Sequence, residues 1–338
     1  MSFIKAAFSL VMTNKGKLFF ALVSTLVFLF ILFPFDDLSD LVSTQVSKAT
    51  GNSLYLQFQK LKMSLFPTPG LKMEKVFIQA SQAPSINMES LTITPSLSGL
   101  IYKKPYGQVS IHGIAGGDFE LSVTKGPRNE AGAEREKFEI QGQKIALKEL
   151  MKNTGHSIPL EGLGQFSIMS LSDPLWKDQP EAELDLSINK FALPPLSVPT
   201  PLGPLNLPGF NLGQVLLKGR LSGGNFNIEK GTFGKETDEI QGLVKGSLAL
   251  NINRRTESSL GLALGPLLSF LGLQHGNLDY GSYNFDIEFT VKKSFQDRAS
   301  AFLIFIDSYK STAPQGAVYR FKISGVNFMA PPTIGALR

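Results

Sequence analysis

Phe285-Asp-Ile-Glu-Phe-Thr-Val-Lys292 sets Phe285, Ile287, Phe289 and Val291 against Asp286, Glu288, Thr290 and Lys292. Successive side chains of a strand point to opposite faces, so this alternation predicts a strand with one sheltered and one solvated face. The same pattern recurs along the chain. Phe119, Leu121 and Val123 alternate with Glu120, Ser122 and Thr124, and Leu184, Leu186 and Ile188 with Glu183, Asp185, Ser187 and Asn189. Tyr319, Phe321 and Ile323 alternate with Arg320 and Lys322, while Ile240, Val244, Leu248, Leu250 and Ile252 share one parity of a longer run. Leu91 with Ile93 and Val109 with Ile111 give shorter examples. Leu54, Leu56 and Phe58 lie on one parity and Leu61, Met63 and Leu65 on the other, which predicts a bulge near Gln59–Lys60. The fold expected is mainly β: an antiparallel meander, groove-like or barrel-like, curled over its apolar face.

Helical signal is sparse. Residues 144–153 (KIALKELMKN) are the best candidate in the body of the chain. Leu38, Leu41, Val42 and Val46 recur at helical spacing before Gly51 and predict a short connector helix. Pro194, Pro195, Pro199, Pro201, Pro204 and Pro208 lack ladder donors and predict a stiff extended linker. Residues 260–273 (LGLALGPLLSFLGL) are apolar but short and broken by glycine and proline, so they read as core rather than as a span.

Residues 18–35 (LFFALVSTLVFLFILFPF) carry no charge. As a helix they would reach about 27 Å, close to the ~30 Å of a bilayer core. Leu18, Phe19, Phe20, Val23, Leu26, Val27, Phe30 and Phe33 are the expected anchor. Lys5, Lys15 and Lys17 precede the run without an acid among them, and Asp36, Asp37 and Asp40 follow it. The positive-inside rule then predicts a single pass with residues 1–17 in the cytoplasm and the bulk outside it. No A-x-A cleavage site follows. The expected organisation is a cytoplasmic start (1–17), a transmembrane helix (18–35), a connector (36–52), a first β-rich half (53–191), a proline-rich linker (192–210), a second β-rich half (211–330) and a tail (331–338).

Composition narrows the chemistry. Of 338 residues 43% are hydrophobic and 18% charged, against the usual ~25% charged, which excludes a mostly disordered chain. With 33 Lys+Arg and 28 Asp+Glu, the net charge of +5 is too dilute for a nucleic-acid stripe. There is no cysteine, which removes disulfides, thiolate metal sites and a thiol nucleophile, and the 3 histidines (His112, His156, His275) are widely spaced. No phosphate loop, nucleophile elbow or H-E-x-x-H motif occurs. His112-Gly-Ile-Ala-Gly-Gly-Asp118 is better explained by a Gly-Gly turn before a strand than by catalysis. No catalytic, cofactor or metal residue is therefore expected, and no enzyme.

Residues 61–76 (LKMSLFPTPGLKMEKV) resemble the opening of AsmA-like envelope proteins, in which an anchor and a short helix lead to a strand ending in a Phe-Pro-x-Pro-Gly turn. Residues 86–100 (INMESLTITPSLSGL) and 108–117 (QVSIHGIAGG) continue that pattern. With Leu207-Pro-Gly-Phe-Asn-Leu-Gly-Gln-Val215, Lys218-Gly-Arg-Leu-Ser-Gly-Gly224 and the segment 242–248 (GLVKGSL), the architecture is similar to the long form of the type II secretion system protein N family. The resemblance implies a non-enzymatic assembly role in exporting folded proteins, on the periplasmic side of a bacterial inner membrane, with secretion-system subunits and the bilayer as partners. It implies as an alternative a lipid-binding or lipid-transfer role. In that case Phe119, Leu121, Val123, Leu248, Leu250, Phe285, Ile287 and Phe289 would line an apolar groove; the same residues suit a closed core equally well.

Overall fold

The computed structural model describes residues 15–32, 35–49, 52, 54–64, 68–80, 85–104, 106–129, 132–153, 159–173, 178–200, 203–252, 278–314, 316–327 and 330–337. The apolar run 260–273, His156, His275, Gly51 and the Phe66-Pro67 pair of the 66–70 turn lie outside them, as do Lys5 and Phe33.

The period-two segments form strands, and the strands form one sixteen-stranded sheet. β1 (Leu54–Gln57) and β2 (Lys60–Ser64) both pair with β3 (Gly70–Ala80). A meander follows: β4 (Ile86–Pro95), β5 (Gly107–Ile114), β6 (Gly117–Lys125), β7 (Glu136–Ala146), β8 (Glu161–Ser172) and β9 (Glu181–Leu193). β12 (Phe210–Ser222) pairs with β9, and β13 (Asn225–Phe233), β14 (Ile240–Ile252) and β15 (Leu278–Lys292) continue the order. β17 (Gly316–Gly325) closes the path, its outer edge shared by β16 (Lys310–Ala313) and β18 (Thr333–Ala336). Every pairing is antiparallel, and the first and last strands do not meet, so the sheet is open. Leu54–Gln57 and Lys60–Ser64 are separate strands on one partner, which places the irregularity where the parity changes.

Three expectations are corrected. The proline-rich stretch is a β-hairpin of its own, β10 (Leu196–Thr200) against β11 (Gly203–Leu207), with Pro199 opposite Pro204. In a two-stranded ribbon each strand has a free edge, where a residue without an N–H costs no ladder bond. Because Phe210 of β12 pairs with Leu193 of β9, this hairpin is an excursion from a continuous sheet and not a boundary between halves. The expected tail contributes β18. The helix expected at 144–153 begins only at Leu147, as α4 (Leu147–Asn153), because Ile145 and Ala146 are still paired with Gly164 and Leu163.

The remaining helices are α1 (Lys15–Leu32), α2 (Ser39–Ala49), α3 (Leu97–Tyr102), α5 (Lys293–Arg298) and α6 (Ser300–Leu303), with 3-10 turns at Phe35–Leu38 and Ile304–Tyr309. Among the described residues no helix is long and apolar enough to cross a membrane. Lys15 and Lys17 occupy the first turn of α1, and its apolar remainder ends at Leu32 rather than at residue 35. That remainder is about 22 Å long at ~1.5 Å per residue, short of the ~30 Å expected of a span. Of the residues expected on the connector's apolar face, Leu38, Val42 and Val46 pack on the first core, whereas Leu41 is exposed.

The core falls into two clusters. The first gathers buried residues of β1 to β7 and their flanks, from Leu56 through Met73, Ile111 and Phe119 to Ile145. Among the described residues α2 and Leu150 of α4 pack against them and no second sheet does, so burial on this side requires the sheet to curl around its own apolar face. The second joins Val291, Ala317, Tyr319 and Phe321 to Phe295, Leu303 and Ile306 from α5, α6 and the following turn.

Candidate ligand-binding face

Cross-strand partners share a face, so the register shows what each strand contributes to the inside of the curl. One row passes from Leu121 through Ile140 and Ile168 to Leu184. After Gly219 it resumes at Ile228 and, beyond Gly246, at Phe285 and Ile323. A second row passes from Phe119 to Gly142, Phe166, Leu186 and Leu217. It continues through Gly231 and Val244 to Ile287 and Phe321. A third joins Leu221, Phe226, Leu248 and Tyr283. Each row stays apolar or glycine across most of the sheet.

Glycines in these rows leave room for rings. A Cβ on Gly142 would stand 2.3 Å from the ring of Phe166, and in a neighbouring row one on Gly242 would stand 2.6 Å from the ring of Phe233. Gly325 is opposite Tyr283 and has the same relation to its ring, at 2.6 Å. Ring over glycine lets neighbouring strands bend sharply towards this face without steric conflict.

Burial along the rows is uneven. Phe119 (3% exposed), Leu121 (4%) and Val123 (6%) belong to the first core and are closed off from any ligand. Their placement as groove lining is therefore corrected: the curl is tight here, and Phe119 meets Phe166 edge-on at 5.8 Å. Leu248, Leu250, Phe285, Ile287 and Phe289 are half-buried. Ile287 and Phe289 lean on the second core, where Phe289 stacks on Tyr319 at 5.2 Å, while Phe285 stacks on Tyr283 at 5.7 Å. Between the clusters, over β9–β14, Leu212 and Leu221 are the buried hydrophobic residues among those described. Leu184, Leu186, Ile188, Leu217, Ile228 and Val244 are half-buried, forming an apolar floor over which the described residues build no closed cluster. Sequence reading missed the β12 and β13 part of this floor. Its signal was present in Asn225-Phe-Asn-Ile-Glu229, which alternates like the strands that were recognised.

Two hydroxyls on buried side chains, Ser172 Oγ and Tyr319 OH, have no hydrogen-bond partner among the described residues. Burial pushes the Tyr319 hydroxyl pKa up, and the nearby Asp307 charge adds to the rise.

The opposite face is charged. Lys218 Nζ meets Asp185 at 2.5 Å, Arg220 meets Glu183 at 2.7 Å and Arg320 meets Glu288 at 2.9 Å, all across strands. The Lys137 ammonium, hydrogen-bonded to Glu139, holds that carboxyl below the usual range, with Ser122 assisting. Exposed pairs of this kind contribute ~0–1 kcal/mol each and mainly keep the outer face in water. His112 Nδ1 lies 2.8 Å from Asp118 across β5 and β6, both about half exposed, as one more surface pair. No group of three or more potential metal ligands occurs among the described residues.

Comparison with family models, with curated proteins and with solved structures gives no match.

Proposed function

We propose that this chain is a bilayer-tethered envelope protein that works by binding and not by catalysis, with an apolar trough over β9–β14 that takes lipid acyl chains. The observation that supports this most directly is the run of half-buried apolar side chains between two closed cores. A contiguous apolar surface of this kind is uncommon on a soluble monomer and marks a site for an apolar partner. Each methylene transferred from water contributes roughly 0.8 kcal/mol, so an acyl chain along several strands gains enough to stay bound. The tether in this reading is α1. Phe19, Phe20, Leu22, Phe28 and Leu32 are between 59% and 76% exposed. A short apolar helix is accommodated by local bilayer thinning, with Lys17 reaching the headgroups.

The test is lipid recovery. The full chain is purified in a steroid detergent, so that any fatty acyl chain detected comes from the cell, and extracted for mass spectrometry. Acyl lipid should be recovered and should fall sharply in the Leu186→Asp/Leu217→Asp variant. Equal recovery from both chains, or none from either, refutes the trough.

A place in the type II secretion machinery is the second part of the proposal. It rests on the resemblance at 61–76, 207–224 and 242–248 and on the tether, which would concentrate the sheet near membrane partners. Pull-down of the full chain from envelope extract should recover secretion-machine subunits; recovery of none removes this part and leaves the trough untouched.

A further inference from the structure

The strands present two ends to their surroundings, and one end carries an unusual element. Between β4 and β5 the chain forms α3, six residues long, in which Leu97, Leu100, Ile101 and Tyr102 are 64%, 57%, 76% and 72% exposed. The helix is held firmly. Ser96 Oγ accepts from the Gly99 N–H at 2.9 Å, the Lys104 N–H returns to Gly99 O at 2.9 Å, and a Cβ on Gly99 would lie 2.8 Å from Tyr106 O. Rigid backbone therefore presents four apolar side chains to the outside. Lys103 and Lys104 follow at once: Lys103 is exposed in a left-handed cap at φ 53°, and Lys104 reaches Glu134 at 3.8 Å.

The chain also passes close to this end before its first strand, although β1 itself starts at the opposite end, where Leu54 pairs with Ala80. The 3-10 turn Phe35–Leu38, three residues beyond α1, contacts β2, and β2 ends where Ser64 pairs with Gly70 at the start of β3. Gly70 in turn adjoins Ile93 and Thr94, the last turn of chain before α3. The opposite end has its own exposed cluster, Phe302, Ile304 and Phe305, but there the adjoining cations are paired, Arg298 with Glu239 and Lys310 with Asp307, whereas Lys103 beside α3 has no ion pair among the described residues.

We propose that the α3 end of the sheet docks on an anionic phospholipid bilayer. Leu97, Leu100 and Ile101 enter the boundary between headgroups and acyl chains, Tyr102 sits at headgroup level, and Lys103 lies against the phosphates. Apolar side chains backed by adjacent lysines fit such a surface, because insertion and attraction to anionic headgroups act on the same element. An amphipathic ring such as tyrosine favours the same depth. The docking goes beyond the tether: it sets which end of the sheet faces the bilayer.

The experiment places a tryptophan at position 101, where the side chain is exposed and touches no core residue. Full-length Ile101→Trp and Phe20→Trp chains are reconstituted in vesicles of equimolar phosphatidylcholine and phosphatidylglycerol, with and without brominated acyl chains. The parent chain, with Trp176 alone, supplies the baseline. Emission from the indole introduced by Ile101→Trp should shift to the blue and be quenched by bromine, and the quenching should weaken in Lys103→Glu or in phosphatidylcholine alone. Quenching at position 20 without quenching at position 101 overturns the docking and spares the tether. Quenching at position 101 without position 20 supports docking and removes the tether. A blue shift at position 101 already present in detergent without vesicles, rising with protein concentration, assigns the surface to a second copy and overturns the proposal.

Discussion

Phe119 and Phe285 occupy equivalent positions in adjacent rows of the same face, yet the structure gives them different consequences on truncation. Phe119 is 3% exposed, within a closed cluster, and packs edge-on against Phe166 at 5.8 Å. Phe→Ala in a closed core costs ~3–5 kcal/mol, because the cavity adds to the lost transfer energy. The ring pair contributes about 1 kcal/mol of this, so Phe119→Ala should cost about 4 kcal/mol. Phe285 is half-buried and faces the open floor, so its truncation leaves no sealed cavity and should cost about 1.5 kcal/mol. A sheet whose strands pack mainly on their neighbours need not unfold in one step, so the readout is local. Hydrogen exchange followed by peptide mass spectrometry reports the opening of each strand pair. At ~1.4 kcal/mol per tenfold, amides of β5–β7 should exchange about three decades faster in Phe119→Ala. Amides of β14–β15 should exchange about one decade faster in Phe285→Ala. An acyl ligand should then slow exchange over β9–β15 in the parent chain, leave β5–β7 unchanged, and protect Phe285→Ala less. Equal acceleration by the two truncations would mean that the trough is as closed as the core, and the binding argument would fail with it.

Burial raises the Glu136 carboxyl pKa above its ordinary value; Lys104 opposes the rise and Asp173 adds to it. A raised acid pKa means that the folded state binds the proton more tightly. The stabilising contribution is full below the unfolded pKa and is lost as pH climbs through the folded one. Glu136→Gln should therefore raise the urea midpoint at neutral pH, with the gain vanishing at acid pH; a gain independent of pH contradicts the assignment. Tyr319→Phe removes a buried hydroxyl that has no partner among the described residues, and should stabilise the second core by about 1–2 kcal/mol. A loss of thermal stability would show that the hydroxyl has a partner. Removing residues 333–338 strips β18 from β17 and frees the Tyr309 hydroxyl, which donates to Ile334 O at 3.0 Å. The uncovered half of β17 should drive self-association visible by sedimentation; an unchanged sedimentation profile refutes the capping role.

Alternation carried the fold because one parity of nearly every strand faces the inside of a single curl. Phe285 to Lys292 and Phe119 to Thr124 could be read alone, since their outward residues are charged or polar. β12 was harder: Val215, Leu216 and Leu217 are consecutive apolar residues, and the parity is set only by pairing with β9 and β13. The Pro199–Pro204 hairpin could not be read from proline content, because a proline's missing donor decides nothing on a strand with a free edge. The difference between closed and open stretches of the trough was not legible either. Phe119 and Phe285 have the same local pattern, and only tertiary packing distinguishes them, Phe119 lying within the first core and Phe285 half-buried outside both clusters.

The two sides of the sheet end alike, and this bears on how the molecule can bind anything. At one side the outer edge of β3 is divided between β1 and β2; at the other the outer edge of β17 is divided between β16 and β18. Each capping strand is only four or five residues long, and Lys60, Lys62 and Lys310 lie on them. Short, lysine-bearing edges resist pairing with another chain. Strand addition, the readiest way for an open sheet to recruit a partner, is therefore hindered at both sides. With the outer face committed to ion pairs and water, the surfaces left with unspent apolar area are the inside of the curl and the exposed ends. Edges that resist pairing, a charged back and a half-buried apolar face between the two cores are what the proposed binding of a long apolar chain across several strands requires, and strand addition is the competing mode they disfavour.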